Sequence, residues 1–69
     1  MPDSIYKVIE LVGTSPTSWE DAVNKVVDEA GKTLKDLRIA EVYDLDVKIE
    51  NNKVAAYRAK VKLSFKYEK

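Results

Sequence analysis

Two runs of strict alternation constrain this chain more than anything else in it. Tyr43-Asp44-Leu45-Asp46-Val47-Lys48-Ile49-Glu50 and Tyr57-Arg58-Ala59-Lys60-Val61-Lys62-Leu63-Ser64-Phe65-Lys66-Tyr67 put apolar side chains at odd positions and polar ones at even positions. A period of two means extended strands with one covered face and one wet face. Asn51-Asn52 lies between them and suits a turn, because asparagine tolerates positive φ. Residues opposite each other on paired strands share a face. A two-residue Asn-Asn turn would pair Glu50 with Lys53 and set Leu45 against Arg58, the wrong register. A three-residue loop, Asn51-Asn52-Lys53, instead pairs Glu50 with Val54, Val47 with Tyr57, Leu45 with Ala59 and Tyr43 with Val61. That register also sets Asp46 opposite Arg58 and Asp44 opposite Lys60 on the wet face.

Such a hairpin needs a cover, and the chain supplies one helix to provide it. Ile5 to Val12 reads as a first strand stopped by Gly13, followed by a polar turn from Gly13 to Ser18. Thr17 with Glu20 forms a capping box and Ser18 with Asp21 a looser one. Trp19, Ala22, Val23, Val26, Val27, Ala30, Leu34 and Leu37 then trace one stripe of a helix about 18 residues long, with Gly31 inside it. The element order is β-α-β-β, an α+β arrangement in one domain spanning residues 1–69.

Sixty-nine residues make a small core, and chains of this size are usually stabilised by disulfides, a metal or association. Cysteine and histidine are both absent, which removes disulfides, thiolate or imidazole zinc sites, and His- or Cys-based catalysis. A homo-oligomer is the expected solution. Twelve basic and twelve acidic residues balance, so nothing points to nucleic acid or an anionic membrane as partner. No apolar run approaches a membrane span, and Met-Pro-Asp-Ser has no signal-peptide character, so a cytoplasmic protein is expected.

No enzyme motif is present. With Gly13 and Gly31 the only glycines, there is no Gly-rich phosphate loop, and the protein is expected to be non-enzymatic. Asp44 and Asp46 share a strand face, so they either pair with Lys60 and Arg58 or leave an oxygen site for Ca²⁺ or Mg²⁺. One subunit offers too few oxygens, so such a site needs a neighbouring copy or water. The row Arg58, Lys60, Lys62 and Lys66 reads as a solvated edge or as a place for coenzyme A-like phosphates. Trp19 reads as a packing anchor.

Tyr6-Lys7-Val8-Ile9-Glu10-Leu11-Val12-Gly13-Thr14-Ser15, then an amphipathic helix and a long hairpin, resembles the dodecin family essentially end to end. Ala40-Glu41-Val42 and Ser64-Phe65 add to the likeness. The resemblance implies a three-stranded antiparallel sheet wrapping one helix, with twelve copies forming a hollow dodecamer. In flavin-binding dodecins a Trp early in the second strand stacks on the flavin and a Gln in the third hydrogen-bonds it. The matching positions here are Ile39 and Arg58. Isoleucine has no π face and arginine has no acceptor, so flavin is not the expected cofactor. Thr14 to Glu20 and Tyr57-Arg58 resemble a flavin-less branch described as calcium-binding dodecins. That likeness implies Ca²⁺ or another divalent cation at subunit junctions. Asp44 is the first candidate ligand, Asp46 the second, and Glu20 and Glu41 follow. Flavin storage in an altered pocket and a purely structural shell are the competing readings.

The size constraint is directly testable. Sedimentation at low micromolar concentration should show an oligomer and no 7.8 kDa species.

Overall fold

A computed structural model describes residues 5–67, so the Met-Pro-Asp-Ser segment lies outside the described residues. The elements are β1 (Tyr6–Ser15), α1 (Trp19–Gly31), β2 (Leu37–Glu50) and β3 (Lys53–Lys66). They form one antiparallel sheet in the order β1-β3-β2, with α1 packed on one face. The β-α-β-β order and the three-stranded sheet agree with the sequence reading.

The core is where two periodicities meet. Ala22, Val26 and Ala30, one helical turn apart, bury against Ala59, Val61 and Leu63, which alternate along β3. Ile9, Val23, Val27, Leu34 and Leu37 pack around them half-buried. Three of the six buried apolar residues are alanines, so the helix lies very close to the sheet.

That closeness explains why Gly13 does not stop β1. The strand runs on to Ser15, pairing Gly13 with Ala59, Thr14 with Arg58 and Ser15 with Tyr57. A Cβ on Gly13 would lie 2.4 Å from Val26 Cγ2 and 2.5 Å from the Ala22 carbonyl oxygen. Gly13 is therefore the crossing point of strand and helix. The turn that follows is tied down internally. Ser15, almost fully buried, donates from Oγ to Asp21 at 2.6 Å and accepts from the Thr17 N–H at 2.9 Å. Ser18, not Thr17, is the N-cap, its hydroxyl accepting from the Asp21 N–H at 3.0 Å.

The helix is shorter than its stripe suggests. It ends at Gly31 after 13 residues, and Thr33 and Leu34 donate their N–H groups to the Ala30 carbonyl as it unwinds. Asp36, at φ 62°, turns the chain, and Leu37 opens β2 opposite Phe65. Leu34 and Leu37 stay on the apolar side, which is why the helical spacing runs through them. Glycine weakens the helix, and pairing with β3 captures the segment beyond it.

The hairpin corrects the expected loop. Its turn has two residues, Asn51 (φ 54°) and Asn52 (φ 62°), with Glu50 opposite Lys53 and Ile49 opposite Val54. Both central residues with positive φ suit the twist of a two-residue hairpin. A bulge at Ala55 then restores the register, so Val47–Tyr57, Asp46–Arg58, Leu45–Ala59 and Asp44–Lys60 are opposed as expected. A second bulge inserts Tyr43, and Val42, not Tyr43, faces Val61.

Replacing Gly13 by Ala should destabilise the fold by about 1–3 kcal/mol, toward the upper end because one clashing atom is backbone carbonyl. Thermal unfolding followed by circular dichroism measures it.

Candidate functional site

The face of the sheet opposite the helix carries the charged residues. Register places Asp46 beside Arg58, Asp44 beside Lys60, and Glu41 beside Lys62, with Glu10 of β1 on the other side of Lys62. The sequence reading left the Arg58, Lys60, Lys62, Lys66 row as a solvated edge or a place for phosphates. β3 is the central strand instead, so the row is flanked on both sides.

The two aspartates are held unequally. Arg58 grips Asp46 with both arms, Nε to Oδ1 at 2.7 Å and Nη2 to Oδ2 at 2.9 Å. This two-point contact is the strong form of an arginine–carboxylate pair. The Arg58 guanidinium holds the Asp46 carboxyl below the usual carboxylate range, against a smaller opposing effect of desolvation. The Asp46 backbone is fixed as well, since Trp19 Nε1 donates to its carbonyl at 3.0 Å while the indole meets Tyr57 edge-on at 5.1 Å. Trp19 is thus a packing anchor that also bonds the start of the helix to β2. Asp44 is looser. Lys60 Nζ stands 3.6 Å from its Oδ2, an ion pair beyond hydrogen-bond range, and more than half of the side chain is exposed.

The other candidates lie apart. Glu41 faces Lys62, and Glu20 is exposed in the first helical turn. Among the described residues no group of three or more acidic side chains could hold a metal ion. Calcium takes six to eight oxygens, so Asp44 and Asp46 of one chain can supply only part of a site. Ile39 is 57% exposed and opposes Ser64, on the same face as Arg58. Ser64 and Arg58 are six residues apart on β3, about 20 Å of strand. Ile39 and Arg58 therefore cannot touch one small ligand within a single chain.

Tyr43 was read as an inward residue, and the bulge re-aims it. Its hydroxyl donates to Glu10 Oε1 at 3.3 Å, and Lys62 Nζ sits 5.0 Å from its ring centroid. Partial desolvation, reinforced by the Glu10 charge, pushes its phenol up. Two adjacent large apolar residues, Val42-Tyr43, break the alternation at the start of the run and carry the only sequence trace of this bulge.

Fold and face together define a chain with a thin core and a charged sheet face. The sequence pattern described as Dodecin matches residues 5–68, and the chain belongs to the dodecin family. It is 43% identical to the calcium dodecin of Mycobacterium tuberculosis over 91% of this chain and 89% of that one. Identity to the dodecin of Thermus thermophilus is 34%, over 93% of each chain. The fold superposes on dodecin from Streptomyces coelicolor with a TM-score of 0.93 at 38% identity, covering 100% of this chain and 99% of the other.

Replacing Arg58 by Gln should raise the Asp46 carboxyl toward the ordinary range, read as its titration midpoint by carboxyl carbon NMR. Because the folded state depresses this group, its contribution to stability is present above the ordinary carboxylate range. It is lost as pH falls through the depressed value. The R58Q variant should lose that part of its acid dependence.

Proposed function

We propose that this dodecin is a non-enzymatic storage or sequestration protein that binds divalent cations, Ca²⁺ foremost, at junctions between subunits of a dodecameric shell. Asp44 is the leading ligand. The observation that carries this reading is the unequal holding of the two carboxylates. Arg58 neutralises Asp46 by a two-point contact, whereas Asp44 keeps an accessible carboxylate with one distant lysine. A hard cation seeks such oxygens, and water and a neighbouring copy complete the shell. Two further facts support it. An exposed isoleucine, Ile39, stands where flavin-binding dodecins stack a Trp, and the M. tuberculosis relative is described as calcium chelating, with a novel calcium-binding site.

Assembly is supported by what the protomer leaves uncovered. Among the described residues thirteen large apolar side chains are exposed, against six buried apolar residues. Val8 and Val12 on β1, Ile39 and Leu45 on β2, and Ile49 opposite Val54 at the hairpin tip are all about half exposed or more. Burying them between copies recovers about 25 cal/mol per Å² of apolar area. No helix among the described residues is long and apolar enough to cross a membrane.

A second reading, flavin storage in an altered pocket, draws on Tyr43, which puts an aromatic ring on the same face as Ile39 and Arg58.

Calorimetric titration with Ca²⁺ should give saturable heat for the wild type and a loss of at least ten-fold in affinity for Asp44→Asn. Absence of heat in both defeats the cation reading. Riboflavin fluorescence should stay unquenched when the protein is added, and quenching would favour the second reading.

A further inference from the structure

The outer face of the sheet is ordered in three cross-strand rows, and each row treats its central cation differently. Thr14, Arg58 and Asp46 form one row, Val12, Lys60 and Asp44 the next, and Glu10, Lys62 and Glu41 the third. Arg58 is locked, because both of its arms reach Asp46, at 2.7 and 2.9 Å. Lys62 stands between two carboxylates and lies over the Tyr43 ring, 5.0 Å from its centroid. Lys60 has an apolar neighbour, Val12, on one side and a single loose partner on the other, its Nζ 3.6 Å from Asp44 Oδ2.

Of the three cations, Lys60 is therefore the one that moves aside with least loss. A pair at this distance has no hydrogen bond to break, and an exposed ion pair is worth little in water. The Lys60 side chain is about one-third exposed and that of Asp44 more than half, so an ion from solvent reaches the carboxylate. Room for the displaced lysine lies on the β1 side, where Val12 is half exposed and makes no claim on its charge. Behind that of Arg58, the Lys60 charge is also felt at Asp46.

A tethered ammonium in this position acts as a built-in monovalent cation. It competes at an effective concentration fixed by the chain, which dilution does not lower. Na⁺ or K⁺ replacing it exchanges one unit charge for another, with no gain in charge at the oxygens. A divalent ion brings twice the charge to the same oxygens, and the attraction scales with that product.

We propose that Lys60 is a specificity-determining residue, a resident counter-ion that keeps monovalent cations off Asp44 and gives way to divalent ones. This role rests on the cation reading of Asp44 and adds to it the basis on which ions are chosen.

The test is Ca²⁺ calorimetry on the full-length protein in NaCl and in tetramethylammonium chloride at equal ionic strength. Screening is then the same in both salts, and only Na⁺ is small enough to compete for the carboxylate. Wild-type affinity for Ca²⁺ should be the same in the two. Lys60→Gln should bind Ca²⁺ about two- to five-fold more tightly than wild type in tetramethylammonium chloride, the range of one exposed ion pair, and lose most of that gain in NaCl. Lys60→Met, a second uncharged variant, should behave alike. Lys60→Arg keeps the charge and should share the wild type's indifference to the choice of salt. Wild-type affinity in both uncharged variants, or a Na⁺ effect on the wild type equal to theirs, overturns the proposal and leaves Asp44 as a ligand. Absence of Ca²⁺ binding by the wild type removes the cation reading and the role of Lys60 together.

Discussion

Everything in this protomer depends on how closely the helix can lie on the sheet. Gly13 removes the Cβ that would strike the Ala22 carbonyl, and Ala59 keeps the facing position small. With that contact made, Val26 and Ala30 reach Val61 and Leu63, and the thin core closes. The same contact fixes the entry to the helix, since Ser15, two residues beyond Gly13, is buried and bonded to Asp21. Ser15 and Lys25 hold the Asp21 carboxyl below its usual range, so the latch is strongest when Asp21 is ionised. A tight crossing also has a cost in area. A small helix laid flat on one end of a long hairpin leaves the rest of the hairpin bare.

The bare part carries the candidate site. The molecule measures 53 × 21 × 15 Å, and the hairpin tip, residues 48–56, extends past β1 as a two-stranded arm. An isolated hairpin is marginal in water, and exposed apolar strands invite partners. The exposed apolar strands are the surface that the proposed assembly would cover. About 20 Å of strand separates Ile39 from Arg58 in one chain. Two positions that the family uses for one ligand are too far apart here to be used by one subunit.

The outer face also shows how a local irregularity changes chemistry. An unbulged β2 would have turned Tyr43 toward the helix. The bulge sends it to the charged face, where it meets Glu10 of β1 and Lys62 of β3 and so spans the sheet. Trp19 does the corresponding work at the other edge, linking the helix start to the Asp46 backbone. Between them Asp46 is fixed by Arg58 and by the Trp19 bond to its carbonyl, while Asp44 keeps only one lysine at 3.6 Å.

Alternation and helical spacing were enough to read the element order, the Asp46–Arg58 and Asp44–Lys60 pairs and the inward positions Ala22, Val26, Ala30, Ala59, Val61 and Leu63, but not that Leu45 and Ile49 stay exposed. The family likeness was legible from Val12-Gly13-Thr14-Ser15 and the segments after it. Local spacing could not say where the helix stops, since Leu34 and Leu37 continue the stripe while pairing with β3 draws Leu37 into a strand. Nor could it place the bulges at Tyr43 and Ala55, which satisfy a two-residue turn and the cross-strand register together. The unequal hold on Asp44 and Asp46 is likewise a tertiary fact. The sequence by itself determined which faces are apolar, and only the packing of strands and helix decided how tightly each carboxylate is held, because that is a matter of distance and not of order along the chain.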